Sequence, residues 1–257
     1  MERFVVEGGH RLQGSIVPSG NKNAALPILA ATLLTDEPVV LENIPRIRDV
    51  EVMIGLLRSV GSEVTWLSGD TVRVQTNLPP EDPIHLDREY ACEIRASILL
   101  AGPLSARGRA VVFPPPGGDV IGRRRLDTHF LALQALGVEV VTGHQGFTLR
   151  PGGLSGGLRG ARIFLDEPSV TATENAIMAS MGAVGDTVIR NAASEPHVQD
   201  LMEFLCSLGA SIGGMGSNVL QVSPRGALGG GRWRVSSDHI EVGSFIALAA
   251  VTGSELT

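Results

Sequence analysis

The sequence predicts an α/β protein with mixed α+β sheets, a domain of three βαβαββ-type repeats plus the start of a second such domain. Three observations carry this. One helix, strand, helix, hairpin pattern recurs along the chain, and its turn glycines Gly61, Gly137 and Gly209 are spaced 76 and 72 residues apart. Glycine also makes up 32 of 257 residues, nearly twice the usual share of about 7%, so tight turns are frequent.

In the first copy an apolar helix over residues 23–34 leads to a strand at 39–43 and a second helix over 50–60 that closes at Gly61. Short β-like runs at 63–66 and 72–74 follow and read as a hairpin. The second copy begins at Arg95, with a strand at 111–113, a helix over 126–136 closing at Gly137, and runs at 138–141 and 147–149. The third has a helix over 172–183, a strand at 187–191, a helix over 198–208 closing at Gly209, and runs at 211–212 and 219–222. A fourth copy opens with a strand at 233–235 and a helix over 241–251, reaches Gly253 and stops within the unit. Such an ending leaves an apolar face and a strand edge uncovered, which points to a fragment or to a partner chain that supplies the rest. Because each unit combines crossovers with a hairpin, its sheet should be mixed.

Composition narrows the function. With 43% hydrophobic and 19% charged residues the chain is a folded protein, not a disordered one. A net charge of −6 argues against a general nucleic-acid or anionic-membrane surface, so any anion site must be local. The apolar stretch at 24–34 is too short to span a bilayer, and the N-terminus lacks the order of a signal peptide, so a cytoplasmic protein is expected. Cys92 and Cys206 have neither metal-ligand spacing nor nearby partners and are expected to be reduced and structural. Patterns for nucleotide hydrolysis, serine hydrolysis and zinc proteolysis are absent.

Of the 21 basic residues, 20 are Arg and one is Lys22. Lys22 lies in Ser19-Gly20-Asn21-Lys22-Asn23, a turn opening into a helix with Ser19 or Asn21 as cap. A cation there opposes the helix dipole unless an anion sits beside it, and helix starts bind phosphate and carboxylate. A solvated surface Lys is the plainer alternative. The stretch from Pro114 to His129 is a Pro/Gly-rich loop entering a helix. Its three consecutive arginines suit bidentate recognition of phosphate or carboxylate, and Asp119 beside them can act as an acid or base. The plainer alternatives are a solvated charge cluster, Asp127 as helix cap and His129 as a structural histidine. In the stretch from Asp166 to Asn175, capping by Thr173 or Thr171 accounts for most of the pattern. Arg95, and Glu241 after Asp238, fall at equivalent helix starts, and such ends often converge on one face.

The segments Ser19-Gly20-Asn21-Lys22-Asn23-Ala24-Ala25-Leu26-Pro27 and Pro116-Gly117-Gly118-Asp119-Val120-Ile121-Gly122-Arg123-Arg124 resemble the N-terminal signature and the active-site loop of the UDP-N-acetylglucosamine 1-carboxyvinyltransferase family. The resemblance runs along essentially the whole chain, which corresponds to about three-fifths of a member. It implies the enolpyruvyl-transferase fold, two three-repeat domains closing over the substrates. Residues 21–229 would form one complete domain, residues 1–20 would carry a strand of the second, and residues 230–257 would be its truncated start.

The implied reaction moves enolpyruvate from phosphoenolpyruvate to the 3-hydroxyl of UDP-N-acetylglucosamine with release of phosphate, without metal or organic cofactor. Lys22, Arg124 and Asn23 are assigned by resemblance to phosphoenolpyruvate. Arg95, Arg124, Arg125, Leu126, Asp127 and Thr128 are assigned to the nucleotide sugar, Glu167, Pro168, Ser169 and Val170 to the uridine, and Glu195 is a further candidate. Asp119 stands where most members carry the cysteine that protonates phosphoenolpyruvate and is alkylated by fosfomycin, so activity with fosfomycin resistance is expected. The base for the sugar hydroxyl lies in the family's second domain, so this chain alone is expected to be inactive. Two other readings are a shikimate-pathway enolpyruvyl transferase, whose start has Ser-Lys-Ser where this chain has Asn21-Lys22-Asn23, and a noncatalytic sugar-nucleotide-binding half-protein.

Overall fold

The computed structural model describes residues 3–118, 122, 125–152 and 156–257. After a two-residue strand β1 (Gln13–Gly14), the first unit runs α1 (Lys22–Ala31), β2 (Val39–Glu42), α2 (Arg48–Ser59), β3 (Ser62–Trp66) and β4 (Val72–Thr76). The second is β5 (Ile84–His85), α3 (Arg88–Glu93), a 3-10 turn Arg95–Leu100 continuing into α4 (Ala101–Ala106), β6 (Val111–Phe113), α5 (Asp127–Ala135), β7 (Val138–Gly143) and β8 (Gly146–Pro151). The third is β9 (Arg162–Phe164), α6 (Val170–Ser180), β10 (Thr187–Arg190), α7 (Pro196–Ser207), β11 (Ser211–Gly213) and β12 (Val219–Ser223). The chain ends in β13 (Gly231–Arg234), α8 (His239–Thr252) and β14 (Glu255–Leu256).

Each unit makes one mixed four-stranded sheet, ordered β13-β2-β4-β3, β5-β6-β8-β7 and β11-β12-β10-β9. The parallel pairs are β13 with β2, β5 with β6 and β9 with β10, and the other neighbours are antiparallel. In the second and third units the parallel strand precedes the crossover helix, as short βαβ connections require. The first unit takes its parallel strand from the far end of the chain. The segment 230–257 was expected to belong together to a second domain. Its strand Gly231–Arg234 instead pairs with Val39–Glu42 and occupies the position that β5 and β9 fill in their own sheets. The incoming and outgoing chains cross side by side just beyond, where Asn21 N donates to Ser236 O and Asp238 N to Ser19 O. β1 pairs in parallel with β14.

The helices fall into two classes. Residues 24–31 of α1, 97–105 of the second unit and 172–180 of α6 are buried throughout, so these helices lie in the core and carry the few polar side chains among them, such as Ser97, Thr173 and Asn175, in with them. By contrast α2, α5 and α7 bury one face, with Val50, Met53, Ile54 and Leu57 of α2 and Val198, Leu201, Met202 and Leu205 of α7 turned inward. The inner helices pack closely because small residues line their contacts. A Cβ added to Gly102 would come 2.7 Å from the Asn175 carbonyl oxygen, so only glycine allows α4 this close to α6. No residue of α8 is buried, and Ile240, Ile246 and Val251 are exposed on it.

Asn175 ties the second unit to the third. Its Oδ1 accepts from Gly102 N at 2.7 Å, and its Nδ2 donates to Ile98 O at 3.0 Å and to His129 Nδ1 at 2.9 Å. An amide nitrogen can only donate, so His129 Nδ1 accepts and its proton is on Nε2, which faces Thr171 Oγ1 at 3.1 Å. His129 is therefore a satisfied structural histidine, neutral, with burial and then the nearby Arg95 charge lowering its pKa to about 3.

Replacing Asn175 with Ala is expected to cost about 2–4 kcal/mol in urea unfolding, because it orphans a buried amide, a carbonyl and an imidazole together. Below pH 6.5 the unfolded chain protonates His129 while the folded chain does not, so its burial makes stability fall with pH down toward about 3. Between pH 6.5 and 5, a His129→Gln chain should show a shallower decline, by up to about 1.4 kcal/mol per pH unit, in the same unfolding measurement.

Candidate functional site

Asn21 caps α1 by accepting from Asn23 N at 2.8 Å, which puts Lys22 and Asn23 in the first turn. Pro27, five residues on, has no N–H to offer the Asn23 carbonyl, so the helix start carries a freed acceptor as well as its unpaired donors. The 3-10 turn of the second unit starts at Arg95 and α6 starts at Val170. These starts, with His197 near the start of α7, line one cavity of about 460 Å³. Lys22, Asn23, Arg95 and Val170, all singled out in the sequence, meet there. Helix starts of this kind create a field that favours an anion.

The cations are held by local partners. Lys22 Nζ pairs with Asp49 Oδ2 at 2.9 Å, both side chains about 40% exposed, a geometry worth at most about 1 kcal/mol and open to exchange with a ligand anion. Arg95 Nη2 donates to the Arg125 carbonyl at 3.1 Å. The loop over 114–118 lies against this wall, with Gly117 N donating to Ala91 O and Gly118 N to Glu93 O, both at 3.2 Å. A Cβ on Gly117 would collide with the Cys92 carbonyl at 1.7 Å, so the glycine is required for the approach. Asp119 and Arg124, the candidate proton donor and phosphate ligand, lie outside the described residues.

The other candidates assemble beside the cavity. Thr128 Oγ1 donates to Asp166 Oδ1 at 2.6 Å and approaches Glu167 Oε1 at 3.4 Å, which joins the start of α5 to the turn before α6. Arg125 pairs with Asp127 at 3.1 Å, Leu126 is half-buried, and Glu167 and Pro168 are exposed on the facing turn. The cap of α6 is Ser169, accepting from Ala172 N, and not Thr171 or Thr173 as expected. Those two hydroxyls have other work: Thr171 meets His129, while Thr173 donates to Ser169 O and accepts from Ala193 N. Nor is Asp127 a cap, since Leu126 holds that position and Asp127 opens the first turn. Glu195 is exposed at the start of α7, close enough for its charge to act on Glu174 and His197. Glu241 accepts from Ser19 N at 2.7 Å, and Asn21 Nδ2 lies 3.1 Å from His239 Nδ1.

Sequence reasoning missed Asp49, Glu174 and His197 as cavity residues. The available signal was Glu174 as the one charged residue in an otherwise uncharged, mostly small-residue helix. Glu174 is 1% exposed, and burial, then the Glu195 charge, pushes its pKa well above the usual carboxylate range. Cys92 and Cys206 are both free, and Cys92 is exposed rather than structural.

The chain is 56% identical over 255 residues to a UDP-N-acetylglucosamine 1-carboxyvinyltransferase of Bradyrhizobium diazoefficiens, covering 99% of this chain and 57% of that protein. It is 50% identical to one of Treponema denticola, covering 100% and 58%. It thus spans under three-fifths of the length of these relatives. Among solved structures, the enolpyruvyl transferase NikO from Streptomyces tendae matches with a TM-score of 0.77 at 22% identity, covering 93% of this chain and 55% of that one. An EPSP synthase from Acinetobacter baumannii matches at 0.75 and 19%, covering 97% and 56%. These neighbours share the fold, mixed sheets around buried helices. The sequence pattern of one family matches residues 6–257, and with it the chain belongs to the EPSP synthase (3-phosphoshikimate 1-carboxyvinyltransferase) family.

Proposed function

We propose that these residues are the loop-bearing part of a transferase that moves enolpyruvate from phosphoenolpyruvate to the 3-hydroxyl of UDP-N-acetylglucosamine, releasing phosphate in the first committed step of peptidoglycan synthesis. The observation that carries the reading is the cavity where Lys22, Asn23 and Arg95 meet at converging helix starts, in a chain about half identical to relatives named for that activity. Asn21-Lys22-Asn23, in place of Ser-Lys-Ser, favours the sugar-nucleotide reaction over the shikimate one.

In this reading Lys22, Asn23 and Arg124 hold the phosphate and carboxylate of phosphoenolpyruvate. Arg95 and residues 124–128 hold the nucleotide sugar, residues 167–170 line the uridine, and Glu195 is a further contact. The sugar oxygen adds to the central carbon while Asp119 protonates the methylene carbon. The methyl group so formed then returns a proton to Asp119 as the C–O bond to phosphate breaks and the double bond re-forms. Cations are needed throughout, because the phosphate accumulates charge as it leaves. Residues 21–229 form the complete domain, with the strand at 231–234 added to its first sheet. Residues 1–20 and the helix after 238 belong to a second domain that supplies the base. No helix among the described residues is long and apolar enough to cross a membrane, and the protein works in the cytoplasm.

Phosphate release from phosphoenolpyruvate with UDP-N-acetylglucosamine tests this, measured on these 257 residues and on a chain extended to the length of the relatives. Turnover is expected only in the longer chain, and Lys22→Ala should lower its kcat/KM at least about 100-fold. Sugar-nucleotide binding with no turnover in either chain would instead favour the noncatalytic half-protein.

Asp119 makes a second prediction. A carboxylate opens an epoxide far less readily than a low-pKa thiolate. The longer chain should therefore keep its activity after incubation with fosfomycin, while Asp119→Cys should make it lose activity with time.

A further inference from the structure

Among the described residues, two buried polar atoms of cavity-lining side chains lack a hydrogen-bond partner, Oε1 of Glu174 and Nδ1 of His197. Buried polar groups in folded proteins are almost always satisfied, so orphans on a cavity wall mark where a ligand completes the bonding. Both belong to the third unit, Glu174 on α6 and His197 on α7, and both residues line the same cavity as Lys22 and Arg95.

We propose that Glu174 is a ligand-recognition residue that donates a carboxylic O–H to a phosphoryl or carboxyl oxygen of an anion held by Lys22 and Asn23, with His197 completing the same polar wall. This rests on the anion-binding reading of the cavity given above. A carboxylate would repel such an anion, whereas a neutral acid offers one strong donor and no charge.

The surroundings keep the proton on Glu174. Burial beside Leu26, Pro27 and Leu99 disfavours the charge, and the Glu195 carboxylate adds to the effect. Among the described residues the charged groups around the cavity are Lys22 of α1, Asp49 of α2, Glu93 at the end of α3, Arg95, and Glu195 at the start of α7, with His239, Asp238 and Asp200 acting on His197. His197 is itself held below the ordinary imidazole value, mainly by burial. His129, on α5, is neutral and committed to Asn175 and Thr171.

Binding should then need the protonated acid and weaken as Glu174 ionises at high pH. Gln keeps an N–H donor of similar shape and does not titrate, while Ala removes the donor. The test is titration of the relative-length chain with phosphoenolpyruvate and with inorganic phosphate from about pH 6 to about pH 9, for the native chain, Glu174→Gln and Glu174→Ala. Infrared difference spectra of native minus Glu174→Gln report the protonated carbonyl stretch without any ligand, and thermal melts establish folding.

The expected result is a carboxylic-acid band at pH 7, Ala at least about tenfold weaker at pH 7, and native affinity that falls together with the loss of that band wherever it occurs. Gln should recover most of that affinity and show a flat alkaline limb. A native spectrum without the acid band overturns the proposal. So do parallel pH profiles for the native and Gln chains across the loss of that band while the anion still binds. Failure of the native chain to bind either anion while the acid band is present overturns the reading of the cavity itself, and the proposal with it.

Discussion

The structure depends on burying three helices on every side. Nothing polar on residues 24–31, 97–105 or 172–180 reaches solvent, so each must be covered all round, which one sheet cannot do. The solution is mutual: the inner helices pack on one another and on the amphipathic helices α2, α5 and α7, with a four-stranded sheet in each unit. Apolar area on that scale is the main favourable contribution to folding. Small residues let the inner axes approach, and Gly102 against Asn175 is the tightest example in that contact. The same packing brings the starts of these helices to one end, and the cavity with Lys22, Arg95 and Val170 follows from it.

What could be read along the chain was what is local. Gly61, Gly137 and Gly209 each have φ near +100°, where L side chains are strained, and each ends a helix where the spacing placed it. The short runs at 63–66 and 72–74 are the paired strands β3 and β4. Lys22 was legible because a lone lysine in a first helical turn contradicts the dipole. What could not be read was what depends on distant residues. The pairing of Gly231–Arg234 with Val39–Glu42 joins segments from opposite parts of the chain, and no local pattern distinguishes that strand from one opening a new domain. Ser169 was passed over for Thr171 and Thr173 because all three hydroxyls suit a cap, and only the contacts with His129 and Ala193 divide them.

Charge in this molecule is governed by depth. Lys22 and Asp49 meet at the cavity mouth, where water still screens them, so their pairing is weak and exchangeable. Arg48 and Glu93 make a two-pronged contact on the surface, each favouring the other's charged form. One layer deeper the rule reverses: burial holds His129 neutral and pushes the Glu174 carboxyl toward its protonated form, because it opposes charge of either sign.

That reversal makes the site differential. In the proposed reading an anion entering from solvent meets Lys22 first and the buried groups of α6 and α7 behind it. Lys22 can trade Asp49 for the ligand at small net cost, while the buried groups gain bonds that no described residue supplies. Electrostatic attraction thus governs entry and hydrogen-bond completion governs which anion stays, since only a ligand with an oxygen at the right depth reaches the wall formed by α6 and α7. A shallower anion would hold Lys22 and leave Glu174 Oε1 and His197 Nδ1 unsatisfied, so the cost already present in the protein becomes the source of its discrimination.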